Sequence, residues 1–276
     1  MRLGEIRSIL SQTVNVMALT ATATKSVRKD VADLLGMSNP VLVSVSPDKS
    51  NIKYFVAGYC TLEKTFGSIA DQLFEMQTDM GRTIIFCQKL DDCCKLYKFF
   101  RKKLGHRFTI PNGSPDLCCN RIVDMFHSCT EPCIKDTIVK NFSTSTKLRV
   151  VIATVAFGMG VDIHDIRNII HFGACEDISM YVQAVGRAGR DGGCASALLL
   201  TRKEKNQHID ADMKAYCDNT STCRREVLFK DFDENPDQTE HSKSLCMCCD
   251  LCALKCECRK CPDVIPGCFN LSYLVE

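Results

Sequence analysis

The sequence predicts a doubly wound parallel α/β sheet followed by a small helical, cysteine-rich subdomain, and three observations carry that expectation. Short apolar runs such as "TIIF" and "RVVIA" alternate with stretches of helical periodicity, and strands apolar on both faces belong to parallel sheets. Of the 20 cysteines, ten are scattered before residue 200 and ten crowd between Cys217 and Cys268, which marks a domain boundary in composition. With 276 residues, 45% of them hydrophobic, the chain is long enough for one to three domains with substantial cores.

Taken in order, "TVNVMALTATATKSVRKDVADLLGM" reads as a strand ending near Ala18, a Thr-rich loop and a helix from Lys25 to Leu35. "NPVLVSVSPDKSNIKYFVAGY" gives a strand, a Pro/Ser break and a second strand, with a linker at 46–50. Leu62 to Met80 has helical spacing. "RTIIFCQ" is a buried strand, Leu90 to Leu104 a helix, "KLRVVIATV" and "NIIHFG" strands, and a further helix begins at Ile178 before the last strand, "ASALLL". No element is assigned in "FTIPNGSPDLCCNRIVDMFHSC". The polar stretch "DFDENPDQTEHSKS" reads as a mobile loop. The resulting division is 1–50, 51–203, 204–260 and a tail, 261–276.

Composition excludes some classes. The longest nearly apolar run, "VVIATVAFGMGV", is too short to cross a bilayer, and the first residues lack the apolar core of a signal peptide. An intracellular protein without a membrane partner is expected, in which a dense cysteine cluster reads as metal binding before disulfides. The net charge of +2 neither demands nor excludes a basic groove.

The motif with the clearest chemistry is "QAVGRAGRDG", where Arg187 and Arg190 stand between glycines. Glycines let the backbone turn tightly, and two forked guanidiniums converging on one point suit phosphate oxygens. In open parallel sheets ligands sit at the carboxyl ends of the strands, where the loops after "VVIAT" and before "QAVGRAGR" fall.

"MALTATAT" at 17–24, "TIIFCQ" at 83–88, "VIATVAFGMGVDIHDIRNIIHFG" at 151–173 and "YVQAVGRAGRDG" at 181–192 resemble, in order, the later motifs of RecQ-family DNA helicases, and "CRREVL" with "CMCCDLC" resembles that family's zinc-binding subdomain. The resemblance implies an ATP-driven enzyme that unwinds DNA 3′ to 5′ with two RecA-like motor domains. Residues 51–203 match the second of these, and 1–50 are a remnant of the first with its linker. It also implies roles. Arg187 and Arg190 reach the phosphates as arginine finger and partner; Gln183 senses nucleotide; Gly158, Gly160, Asp162 and Gly186 lie toward the nucleotide; Thr20 and Thr22 transmit hydrolysis; Thr154 and Lys89 grip DNA. Cys223, Cys246, Cys249 and Cys252 are the implied zinc ligands, with Cys248 and Cys217 as substitutes in the tetrahedron. Cys256, Cys258, Cys261 and Cys268 remain for a second ion. Arg224, Arg225 and Lys230 face either the DNA backbone or solvent.

Two features qualify the resemblance. No G-x-x-x-x-G-K-[ST] loop and no D-E-x-H box occurs in these residues, the nearest approach being "GYCTLEKT", where Glu63 replaces the second glycine. The expectation is therefore a fragment whose ATP and Mg²⁺ are held mainly by a first motor domain elsewhere, and which is ATPase-deficient alone. Ala184 and Lys49 also depart from the family's usual glutamate and arginine. The alternative class is a non-catalytic, zinc-containing nucleic-acid-binding or regulatory protein derived from such an enzyme. DNA, as single strand and duplex junction, is the expected partner, and the nucleus the expected compartment.

Overall fold

The computed structural model describes residues 5, 14–20, 22–144, 147–154, 157, 162–202, 209–232, 245–258 and 265–274. Six strands, β1 (Ile52–Gly58), β2 (Arg82–Cys87), β3 (Val123–Phe126), β4 (Val150–Ala153), β5 (Ile166–Phe172) and β6 (Ala195–Thr201), form one sheet. Their order is β1-β6-β5-β2-β4-β3, and every pairing is parallel.

Side chains alternate across a strand, so the sheet divides its apolar residues between two cores. Ile84, Phe86, Val151 and Ala153 join one cluster, while Ile85, Cys87, Val150 and Ile152 join the other. α2 (Leu62–Met76) and α3 (Leu90–Leu104) cover the second face through Phe66, Ile69, Leu73, Leu96 and Phe100. α4 (Pro132–Ser143) and α5 (Ile178–Val185) cover the first through Ile138, Phe142, Tyr181 and Val182. This is the doubly wound arrangement the apolar strands predict.

The first face also receives the cysteine-rich segment. α6 (Ala211–Asp218), α7 (Arg224–Phe229), α8 (Leu245–Cys248) and α9 (Asp250–Ala253) bring Tyr216, Phe229, Cys248 and Cys249 into the same cluster. Tyr54 of β1 bridges to Cys249, and the Val56 amide donates to Asp250 Oδ2 at 3.1 Å. The second face receives the described part of the 261–276 tail. Phe269 and Leu271 are buried there, and Asn168 ties them to the sheet: its Oδ1 accepts from the Phe269 amide at 3.0 Å and from Ser196 at 2.9 Å, and its Nδ2 donates to Thr83 at 2.9 Å. Phe269 and Leu271 thus complete the core on the α2/α3 face.

Two expectations need correction. Among the described residues no strand forms at 14–20 or 41–45, where Met17, Leu19, Val41 and Val43 are 78%, 83%, 90% and 89% exposed. A lone strand gains neither ladder bonds nor burial, and among the described residues none of β1–β6 pairs with these segments. The helix between them, α1 (Lys25–Leu34), forms as the pattern indicates, capped by Thr24, but buries none of its residues. The stretch left without elements contains β3 and, just beyond it, α4. Most of the expected mobile loop, 233–244, lies outside the described residues.

Candidate nucleotide-facing turn and thiolate centre

Helix α5 runs back along the sheet from the carboxyl ends of the strands. The arginine turn that follows it therefore sits at the amino ends, against Asn51 and Ile166, rather than beside the carboxyl-end loops. Its backbone is held at several points. The Gly189 amide donates to Ile166 O at 2.9 Å, Asn51 Nδ2 donates to the Gly189 and Gly193 carbonyls at 2.9 and 2.7 Å, and Lys49 Nζ donates to the Gly186 and Ala188 carbonyls at 2.7 and 3.1 Å. Arg167 grips Asp191 with both terminal nitrogens at 2.9 and 2.5 Å, which holds that carboxyl down to about 2.

Gly189 is required for this fit. Its φ is +54°, and a Cβ there would meet Asn51 Nδ2 at 2.4 Å and the Gly193 carbonyl at 2.7 Å. Gly192 has a φ of +79° but faces open space. Gly189→Ala is expected to lower the melting temperature by more than Gly192→Ala, because it adds a backbone clash to the roughly 1–3 kcal/mol of left-handed strain. Equal shifts in calorimetry would contradict the packing described.

The turn gathers positive charge. Burial and then the neighbouring Arg190 lower the affinity of both Lys49 and Arg187 for their protons. Arg187 Nε is buried without a hydrogen-bond partner among the described residues, a cost of about 1–3 kcal/mol for a polar group that no anion meets. Arg190 pairs directly with Asp162, but in a solvent-exposed position, with the two side chains 32% and 68% exposed. Such a pair contributes about 0.2–1 kcal/mol and exchanges readily for a stronger anion. Gln183 is exposed on α5, and Gly186 caps that helix.

The remaining sites lie elsewhere. Lys89 opens α3 just after β2, and Thr154 follows β4; Phe86 and Ala153 are in register, so both belong to the carboxyl edge. A sheet of four- to seven-residue strands separates that edge from the arginine turn by roughly 13–23 Å. Thr20 Oγ1 donates to the Thr22 carbonyl at 3.1 Å and accepts from the Thr22 amide at 3.3 Å, in the turn before α1. Gly158 and Gly160 lie outside the described residues, as does Cys261.

The thiolate centre differs from the expected set by one residue. The sulfurs of Cys223, Cys248, Cys249 and Cys252 lie within 4.8 Å of one another, with Cys223 and Cys248 at 3.5 Å. Zinc–sulfur bonds of about 2.3 Å in a tetrahedron place sulfurs about 3.8 Å apart, so this group fits the metal. Cys246 is absent from it and Cys217 takes no part. Residues two apart on a helix point roughly 200° apart, so α8 sends Cys246 and Cys248 to opposite sides. The backbone then becomes extended at Cys249, φ −156°, which returns its thiol to the first group. Bonds from the Cys223 and Cys248 thiols, with the Arg224 and Cys252 amides, favour its thiolate.

Arg224 and Arg225 face neither DNA nor solvent. Arg224 Nε and Nη2 donate to Asp250 at 2.8 and 3.0 Å, and both groups are buried. Arg225, fully buried, pairs with Asp48 and donates to the carbonyls of Lys49, Ser50 and Ile52. Charge alone does not reveal this. The consequence is a rigid path from Cys223, at the head of α7, through Arg225 to the linker that delivers Lys49 to the arginine turn. Lys230 is exposed and pairs with Asp212 at 3.2 Å.

The arginine turn and the thiolate centre both fall within regions that match known protein domains. Residues 66–192 match the helicase conserved C-terminal domain and residues 190–253 the RecQ zinc-binding domain. The chain is 28% identical to ATP-dependent helicase SGS1 of Saccharomyces cerevisiae over 87% of its own length and 16% of that protein's, and 30% identical to RecQ-like DNA helicase BLM of Xenopus laevis over 81% and 17%. With a putative ATP-dependent DNA helicase Q1 of Caenorhabditis elegans it shares 31%, over 80% and 34%. The chain thus spans about a third or less of these relatives. In fold it is similar to S. cerevisiae Dbp5 bound to RNA and ADP BeF3, with a TM-score of 0.56 at 16% identity, covering 79% of this chain and 53% of that one. With a six-stranded parallel RecA-like sheet, an arginine turn at its amino edge and a four-thiol cluster docked on one face, the chain belongs to the RecQ helicase family and matches its C-terminal part.

Proposed function

We propose that this chain is the nucleotide-sensing and strand-gripping half of an ATP-dependent DNA helicase moving 3′ to 5′. The observation that carries the reading is the amino-edge turn, where Lys49, Arg187 and Arg190 crowd together with one exposed carboxylate opposite them. Phosphoryl transfer leaves negative charge on the transferred group, and preorganised guanidiniums stabilise it without reorganising. In this reading a first motor domain holds Mg²⁺ and the nucleotide, and Arg190 leaves Asp162 to meet the phosphates. Arg187 gains there the partner its buried Nε lacks among the described residues. Lys89 and Thr154, at the far edge, hold backbone phosphates of the strand.

Zinc, at Cys223, Cys248, Cys249 and Cys252, has an architectural part. It fixes α7, hence Arg225 and the linker under the turn. The expected site of action is the nucleus. Among the described residues no helix is long and apolar enough to cross a membrane.

The purified 276-residue chain with single-stranded DNA is expected to show no ATP turnover above background, because its sequence contains no G-x-x-x-x-G-K-[ST] motif. Adding a RecQ-type first motor domain in trans, or fusing it upstream, is expected to restore turnover. Turnover by the chain alone, or none in the fusion, would refute the division of labour.

A further inference from the structure

Cys246, turned away from the first thiol group, meets Cys256 and Cys258: the three sulfurs lie within 4.8 Å of one another, with Cys246 and Cys258 at 3.9 Å. We propose that these three cysteines form a second site for a soft metal ion, zinc in the resting protein, separate from the four-thiol centre. The spacing is that of thiolates around a common ion, about 3.8–4.0 Å for metal–sulfur bonds near 2.3 Å, and nearly twice the 2.05 Å of a disulfide. Soft thiolate ligands select zinc or monovalent copper over the hard divalent ions.

The second set is not part of the first. Cys256 and Cys258 fall beyond residues 190–253, where the match to the RecQ zinc-binding domain ends. The two sets share only the short helix α8, which directs Cys246 to one and Cys248 to the other. Cys268 belongs to neither: it is buried against the sheet, donating to Arg167 O at 3.2 Å. An ion held by Cys246, Cys256 and Cys258 would cross-link α8 to the irregular segment leaving α9.

The test is metal stoichiometry on the full chain, purified under reducing conditions, by native mass spectrometry and elemental analysis. The wild type is expected to hold about two zinc ions, and Cys256→Ser/Cys258→Ser about one. Cobalt(II) substitution gives a second readout: the double variant should lose about half of the thiolate-to-cobalt charge-transfer absorbance. One zinc in the folded wild type, an unchanged count in the folded double variant, or a Cys246–Cys258 disulfide in alkylated peptides would overturn the proposal. The wild-type count decides the matter even if the variant fails to fold.

Discussion

Arg190→Ala, in the chain joined to a RecQ-type first motor domain, is expected to lower kcat for DNA-stimulated ATP hydrolysis by roughly 10³- to 10⁵-fold, the range for removal of an arginine finger. KM for ATP should move far less, because the ground-state nucleotide is held by the other lobe and the guanidinium acts on charge that develops in the transition state. Arg190→Lys should not rescue, since an ammonium offers a point charge in place of a planar fork. Asp162→Ala gives the contrast: it removes a solvent-exposed pair with Arg190 that contributes at most about 1 kcal/mol, so it should leave the fold intact and cost far less in kcat. If Arg190→Ala stays within tenfold of wild type at unchanged stability, the amino-edge turn is not the catalytic contact.

The sheet is written plainly in the sequence because parallel strands must be apolar on both faces. "TIIF" and "VVIA" leave little choice, and the amphipathic spacing of Leu90–Leu104 gives α3 its ends. β3 is hidden by Asp124, a buried carboxylate in a four-residue strand. Burial raises its affinity for a proton, and Arg121 at 3.2 Å offsets that cost. Nothing in "RIVDMF" announces the partner. α4 is masked because only Ile138 and Phe142 of its twelve residues are buried. Strands expected at "VNVMAL" and "PVLVSV" fail for the opposite reason: they have the right composition, but pairing is a property of neighbours, and among the described residues none of the six strands pairs with them.

The candidate sites follow the same rule. Glycine and arginine spacing marks the turn, yet its edge of the sheet depends on the length of α5, which carries Arg187 away from the carboxyl-end loops. Cysteine spacing is ambiguous between Cys246 and Cys248, since both precede a C-x-x-C pair by a short interval; helix rotation separates them. "CRREVL" reads as a basic face, whereas Arg224 and Arg225 are the internal braces between the thiolate centre and the linker. An ion pair needs a partner distant in sequence, here Asp250 and Asp48.

Cys249→Ala is expected to remove about one equivalent of zinc and to destabilise far more than the cysteine position itself. Apparent binding energies in model zinc fingers are on the order of 10 kcal/mol, and the helices at this site are only four to six residues long, too short to persist in water without tertiary support. Losing the ion frees Cys223, which starts α7, and so loosens Arg224 from Asp250 and Arg225 from the 48–52 linker. Both arginines are then buried charges with weakened partners, a change that typically costs about 3–5 kcal/mol when a buried pair is broken. Because Tyr54, Tyr216 and Phe229 belong to the same core as the sheet, the loss should appear as one lowered melting transition for the whole chain rather than as local fraying. Cys60→Ser, at an exposed thiol outside both clusters, is the control and should change neither zinc content nor melting temperature. A Cys249→Ala protein that keeps its zinc, or loses it with the melting temperature unmoved, would show that the thiolate centre does not brace the linker beneath the arginine turn.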